Sequence, residues 1–191
     1  TSPWFVMAGR DDSRQKGYDV ACSAITRFLN AGGQACFLFF PIPGDEGLPG
    51  LNFLKSLADR YPKSVIVLPF LFQEGFFAVL QGATYGIMPS LYEPFGMANE
   101  FYLKGTVGIG RATGGILQQI IPYRAAVSFN QAVQSRADRL FGPTANPTGF
   151  LFRERDGIAN EVEDWQAINY AAYDPGGGHP NRVESREQLP L

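Results

Sequence analysis

The apolar positions of this chain fall into short, nearly unbroken runs, separated by stretches in which apolar residues recur every three or four positions. The runs occupy 4–8 (WFVMA), 35–40 (ACFLFF), 65–70 (VIVLPF), 85–89 (YGIMP) and 106–110 (TVGIG). A strand covered by helices on both faces has no solvent face, so unbroken runs predict buried parallel strands rather than half-exposed ones. Between the first two runs, Val20, Ala24, Ile25 and Phe28 form one helical stripe, stopped by Gly32 and Gly33. Leu51, Leu54, Leu57 and Ala58 form a second before Tyr61-Pro62, and 74–81 a third that presents Phe77, Ala78 and Leu80. A fourth helix starts near Gly96, carries Glu100, Phe101, Leu103 and Lys104, and ends at Gly105; ILQQII, closed by Pro122, is a fifth. This alternation predicts an α/β fold with a doubly wound, mainly parallel sheet.

Past residue 122 the pattern thins. It predicts a helix over 131–140, a turn-rich loop at GPTANPTG, a strand over 149–152 and a last helix over 162–172, with Asp164 and Trp165 near its start. Residues 1–172 read as one domain, and 173–191 as a Gly/Pro-containing tail, extended or mobile, with little to bury. No repeat recurs at a fixed period.

Composition narrows the function classes. A chain of 191 residues with 45% hydrophobic and 14% aromatic residues can build one substantial core. Only 18% of residues are charged, against about a quarter in an ordinary soluble domain, which fits loops rich in Gly (22) and Pro (14) or a surface partly covered in the intact molecule. A formal charge of −2 gives no broad attraction to nucleic acid or anionic lipid. Cys22 and Cys36 fall in predicted regular elements and read as small buried hydrophobes of a reducing, cytoplasmic compartment. The single histidine, His179, lies in the tail, so neither a Ser-His-Asp arrangement nor a His-rich metal cluster can be assembled, and no metal is expected. No apolar run reaches the length of a membrane span. The sequence opens almost directly into a strand, which reads as a cut boundary.

Four polar or aromatic features follow predicted strands, where an open parallel sheet exposes its ligand crevice. In GRDDSRQKG, Gly9 frees the turn and Arg10 with Lys16 offers a fork of donors and a compact charge suited to a diphosphate. The alternative is a solvated turn whose bases pair with Asp11 and Asp12. In MPSLYEPFG, Glu93 can accept hydrogen bonds from sugar hydroxyls, or cap the amides of the helix opened by Gly96; Tyr92 and Phe95 are placed to shape the crevice beside it. Glu100 can pair with Lys104 four residues on. In RATGGIL, Thr113, Gly114 and Gly115 can present successive amides to phosphate oxygens, or form an ordinary turn; Arg111 assists or points to solvent. Phe70, Phe72, Phe76 and Phe77 either line a slot for a planar base or fill the core. Neither GxGxxG nor GxxxxGK[ST] is present at the first turn.

Taken together, GRDDSRQKGYD, MPSLYEPFGMANE, GTVGIGRATGGILQQI and TGFLF resemble the nucleotide-sugar-binding C-terminal domain of glycogen and starch synthases, and more broadly of retaining glycosyltransferases with the two-domain B-type fold. The resemblance covers about the first 120 residues plus 147–152. It implies a Rossmann-like C-terminal half that binds ADP-glucose or UDP-glucose as donor substrate, without a further cofactor. It implies Arg10, Lys16 and Glu93 as catalytic residues: the two bases hold the donor diphosphate and stabilise its departure, and the glutamate addresses the transferred sugar. Gly9, Tyr92, Phe95, Gly96, Thr113, Gly114 and Gly115 would complete the donor site. Related enzymes often carry a ribose-binding Glu eight positions after the first; here Phe101 holds that position and Glu100 lies seven after Glu93, so Glu100 takes the role if one residue is deleted. The glucan or oligosaccharide acceptor would belong mainly to an N-terminal domain absent from this chain, leaving the isolated fragment inactive. The alternatives are a donor domain for another hexose and a non-catalytic sugar-nucleotide-binding module.

Overall fold

A computed structural model describes residues 2–43, 51–68, 73–94, 96–124 and 130–153. Six strands, β1 (Trp4–Arg10), β2 (Cys36–Ile42), β3 (Val65–Val67), β4 (Tyr85–Met88), β5 (Val107–Arg111) and β6 (Gly149–Phe152), form one sheet in the order β3-β2-β1-β4-β5-β6. Every pairing is parallel. The chain therefore builds outward from β1 to β3, then returns to lay β4 against the other side of β1. That reversal opens a crevice outside the carboxyl ends of β1 and β4.

The unbroken apolar runs are explained by parity. Side chains alternate across a strand, so Val6 and Ala8 face one side of the sheet with Leu38 and Phe40, while Met7 faces the other with Phe37 and Phe39. The first side packs on α4 (Gln73–Gly82), α5 (Gly96–Leu103), α6 (Gly114–Gln119) and α7 (Gln131–Phe141), through Phe76, Leu80, Phe101, Ile116, Leu117 and Val133. The second packs on α2 (Tyr18–Asn30) and α3 (Leu51–Arg60), through Tyr18, Ala21, Ile25, Leu54 and Leu57.

Two helices turn differently from the expected stripes. In α2 the buried line is Tyr18, Ala21, Cys22 and Ile25, while Val20 and Phe28 are exposed. Val20, Ala24 and Phe28 instead line an apolar groove of about 340 Å³, with Phe5, Ile87, Ile109 and Phe152 among the residues across from them. Both lines are apolar at helical spacing, so periodicity identifies two candidate faces and packing chooses one. In α4, Phe76 and Leu80 are buried, whereas Phe77 and Ala78 are exposed and the Lys104 ammonium lies 4.8 Å from the Phe77 ring centroid. Within the described residues the aromatic belt is thus divided: Phe76 is core and Phe77 is surface. Phe70, Phe72, the helix over 162–172 and the tail lie outside the described residues.

Strand limits also shift. β1 and β2 each run two residues further than expected, Pro89 falls outside β4, and α6 begins at Gly114 rather than after the glycines. At the end of α5, Gly105 adopts φ +80° and Thr106 N–H reaches back to the Phe101 carbonyl, the left-handed stop that its sequence position suggests. Burial pushes the Cys22 thiol up to about 11, with Asp19 adding to the effect, so at neutral pH it packs as a neutral group. Among the described residues no helix is long and apolar enough to cross a membrane.

Candidate functional site

The short turn after β1 delivers Lys16. Gly9, at φ +153° and still paired with Pro41 near the end of β1, adopts a conformation that side chains disfavour. Asp12 Oδ1 accepts the Gln15 N–H at 3.0 Å and so starts the single-turn helix α1 (Ser13–Lys16). Asp11 Oδ2 accepts the Leu51 N–H at 3.2 Å, at the start of α3. The two aspartates, considered as partners for the neighbouring bases, thus each accept a backbone N–H at a helix start. Gly17 separates α1 from α2 at φ +73°, and a Cβ there would lie 2.5 Å from the Pro89 carbonyl oxygen. Lys16 consequently folds back so that its stem passes Gly9, with Cδ and Cε 3.5 Å from where a Cβ would stand. Tyr18, fully buried, donates its hydroxyl to the Gly9 carbonyl at 3.0 Å. Burial, reinforced by the charge of Asp11, holds its phenol well above the usual range and keeps it a donor. Arg10, the last residue of β1, is exposed at the same edge.

Glu93 meets Lys16 across the switch point. The Lys16 ammonium lies 2.5 Å from Glu93 Oε2, and Ser90 Oγ donates to the same oxygen at 3.2 Å. Glu93 and Ser90 are buried, and the Lys16 side chain retains only 15% of its exposure. Glu93 Oε1 lies on the side of Gly96, 3.9 Å from a Cβ built there, where α5 begins.

The loop that carries Glu93 is tied from both sides through three consecutive carbonyls. Leu91 O accepts Thr113 Oγ1 at 3.1 Å, Tyr92 O accepts Gln15 Nε2 at 2.5 Å, and Glu93 O accepts the Gly115 N–H at 2.8 Å. In addition, the Leu91 N–H donates to Gln15 O at 2.8 Å. A Cβ on Gly115 would fall 1.5 Å from the Pro94 carbonyl oxygen, so only glycine permits this approach. The structure therefore brings Gly9, Lys16, Tyr92, Glu93, Gly96, Thr113, Gly114 and Gly115 to one edge of the sheet.

One detail differs from the expected amide cradle. The Gly115 N–H is occupied by the Glu93 carbonyl, whereas Gly114, the first residue of α6, has no carbonyl four residues back within its own helix to receive its N–H. Arg111 is buried rather than directed to solvent. Of the two residues competing for the ribose register, Phe101 is fully buried, its ring filling the space where a Cβ on Gly86 would stand, and Glu100 is partly exposed on α5. Phe95 lies outside the described residues. Gln15 and Ser90, which position the Glu93 loop and carboxylate, were not singled out from the sequence. The Asp12-x-x-Gln15 spacing is a capping-box signal that marks Gln15, although its side chain goes to Tyr92 instead of back to the helix cap.

No protein-family model matches the chain. A glycogen synthase of Lacticaseibacillus casei is 35% identical over 127 residues, covering 65% of this chain and 25% of that protein. A glycogen synthase of Serratia proteamaculans is 30% identical over 158 residues, covering 82% of this chain and 29% of that protein. The chain thus spans between a quarter and a third of these relatives' length. Among solved structures, the catalytic domain of starch synthase IV from Arabidopsis thaliana, bound to ADP and acarbose, superimposes with a TM-score of 0.57 at 19% identity, covering 99% of this chain and 35% of that one. The chain has the fold of a B-type glycosyltransferase domain.

Proposed function

We propose that this chain is the donor-binding half of a retaining glucosyltransferase that uses ADP-glucose or UDP-glucose to extend an α-glucan. The observation that carries the reading is the meeting of Lys16 and Glu93 at the switch point of the sheet, beside the Thr113-Gly114-Gly115 turn. A cation beside a helix start suits a diphosphate, and a buried carboxylate suits the hydroxyls of the sugar attached to it. Arg10 and Lys16 hold the phosphate oxygens together with the Gly114 amide, while Gly115 fixes the turn against the Glu93 loop. Glu100 addresses the ribose, and Tyr92 and Phe95, which flank Glu93 and Pro94 in sequence, complete the donor site with Gly96.

The chemistry in this reading is front-face transfer. The acceptor hydroxyl approaches the anomeric carbon on the side from which the diphosphate leaves, the sugar–phosphate bond breaks, and the hydroxyl proton passes to the departing phosphate. Glu93 and Glu100 are not the acid and nucleophile pair of a glycosidase. What the protein supplies is preorganised positive charge where the leaving group develops its negative charge. The cationic side chains neutralise phosphate without a metal ion. An N-terminal domain would bring the acceptor, and in its absence this chain holds only half of the reacting pair.

Calorimetric titration with ADP, UDP and their glucose conjugates, repeated in EDTA and combined with an oligosaccharide transfer assay, tests the reading. The 191-residue chain should bind weakly, with unchanged affinity in EDTA, and transfer nothing, whereas the full-length protein should transfer glucose. Donor binding without transfer by the full-length protein would make this a binding module; turnover by the chain alone would overturn the half-site reading.

A further inference from the structure

The two charged groups of the site engage one another. Lys16 and Glu93 come from different turns, 77 residues apart in sequence, yet each is the other's partner at 2.5 Å. Their side chains are only 15% and 8% exposed, so water does little to screen or replace the contact. Ser90 adds a hydrogen bond to the same carboxylate oxygen. The function proposed above, on which this inference rests, asks both groups to turn to the donor: the ammonium to phosphate and the carboxylate to sugar hydroxyls.

We infer that the Lys16–Glu93 ion pair is a latch that a complete sugar nucleotide can exchange and a nucleoside diphosphate cannot exchange without loss. When phosphate oxygens take the Lys16 ammonium, the buried Glu93 carboxylate loses its cation and faces new negative charge. A buried charge stripped of its partner is costly. A sugar nucleotide compensates, because its hydroxyls donate to the carboxylate that its phosphates have displaced. A nucleoside diphosphate brings the phosphates and no such donors, so the latch reforms at its expense. The same pair of residues would therefore favour the donor over the product left behind when the sugar has gone.

In the full-length protein, Glu93→Gln removes the competing carboxylate and should tighten ADP and inorganic diphosphate by about tenfold, while eroding the preference for ADP-glucose over ADP. Lys16→Ala should weaken all three ligands. Calorimetric titration of the two variants, with thermal melts to verify folding, reads these changes directly. If Glu93→Gln leaves ADP affinity unchanged or weakens it while Lys16→Ala weakens it, the latch is wrong and the donor-site reading stands. If neither variant alters binding of any of the three, both are wrong. A measurement on the unaltered protein covers the case in which Glu93→Gln fails to fold. Without ligand, Lys16 should acylate at least about tenfold more slowly than exposed Lys55, read by mass spectrometry of peptides after a timed pulse of an amine reagent. Equal rates would overturn the latch.

Discussion

The turns after β1 and β5 hold the same loop by different physics. The β5 turn grips the Glu93 loop through backbone and close contact: the Gly115 N–H on the Glu93 carbonyl, with no room for even a methyl group. The β1 turn reaches the same residue through an ion pair from a flexible side chain. A backbone contact of this closeness has one geometry and cannot be traded for a ligand. A lysine ammonium can be redirected by rotating its stem. At this edge of the sheet, backbone contacts from both turns set the position of the loop, while the Lys16 ammonium remains exchangeable.

The largest effect should come from the fixed side. Gly115→Ala places a Cβ where the Pro94 carbonyl oxygen stands and should destabilise the fold by about 3 kcal/mol, lowering the melting temperature by roughly 6–12 °C in a thermal scan. A melting temperature within a degree of the unaltered protein would show that the two loops are not locked. On the exchangeable side, Lys16→Ala in the full-length protein should cost productive donor use about 1.5–3 kcal/mol, roughly ten- to a hundredfold in kcat/KM, and should also lower the melting temperature, because the buried Glu93 carboxylate loses its cation. Gln15→Ala removes the donor to the Tyr92 carbonyl and should cost about 1 kcal/mol of stability, detectable by denaturant titration, since the backbone bond from Leu91 to Gln15 remains. Lys104→Ala should have the smallest effect, below about 1 kcal/mol, because its ammonium rests against the half-exposed Phe77 ring at the surface. Equal losses of activity from Lys16→Ala and Lys104→Ala would remove Lys16 from its role at the donor.

Much of the fold was legible because the strands are buried on both faces, which leaves unbroken apolar runs that no surface strand would show. The run 149–152 reads as a strand from four residues and forms β6 over the same four. The orientation of α2 was not legible, since Val20, Ala24 and Phe28 are as apolar and as regularly spaced as the line that packs. At the site, the charged and glycine-rich clusters announced themselves by residue type. Which groups use one another could not be read locally: Lys16 meets Glu93, and Gly115 meets Pro94, only because the sheet order sets β4 between β1 and β5. Ser90 looks like any loop serine until its hydroxyl is seen on the carboxylate.

The three successive carbonyls of Leu91, Tyr92 and Glu93, each engaged by a different residue, also bear on entropy. Fixing the backbone of one residue costs about 1–2 kcal/mol in lost conformational freedom. Across this loop that cost is met once, when the domain folds, and is not charged again to each arriving ligand. Recognition at this edge then consists of side-chain rearrangement on a rigid frame, so association can proceed at the rate of encounter without waiting for a loop to find its shape.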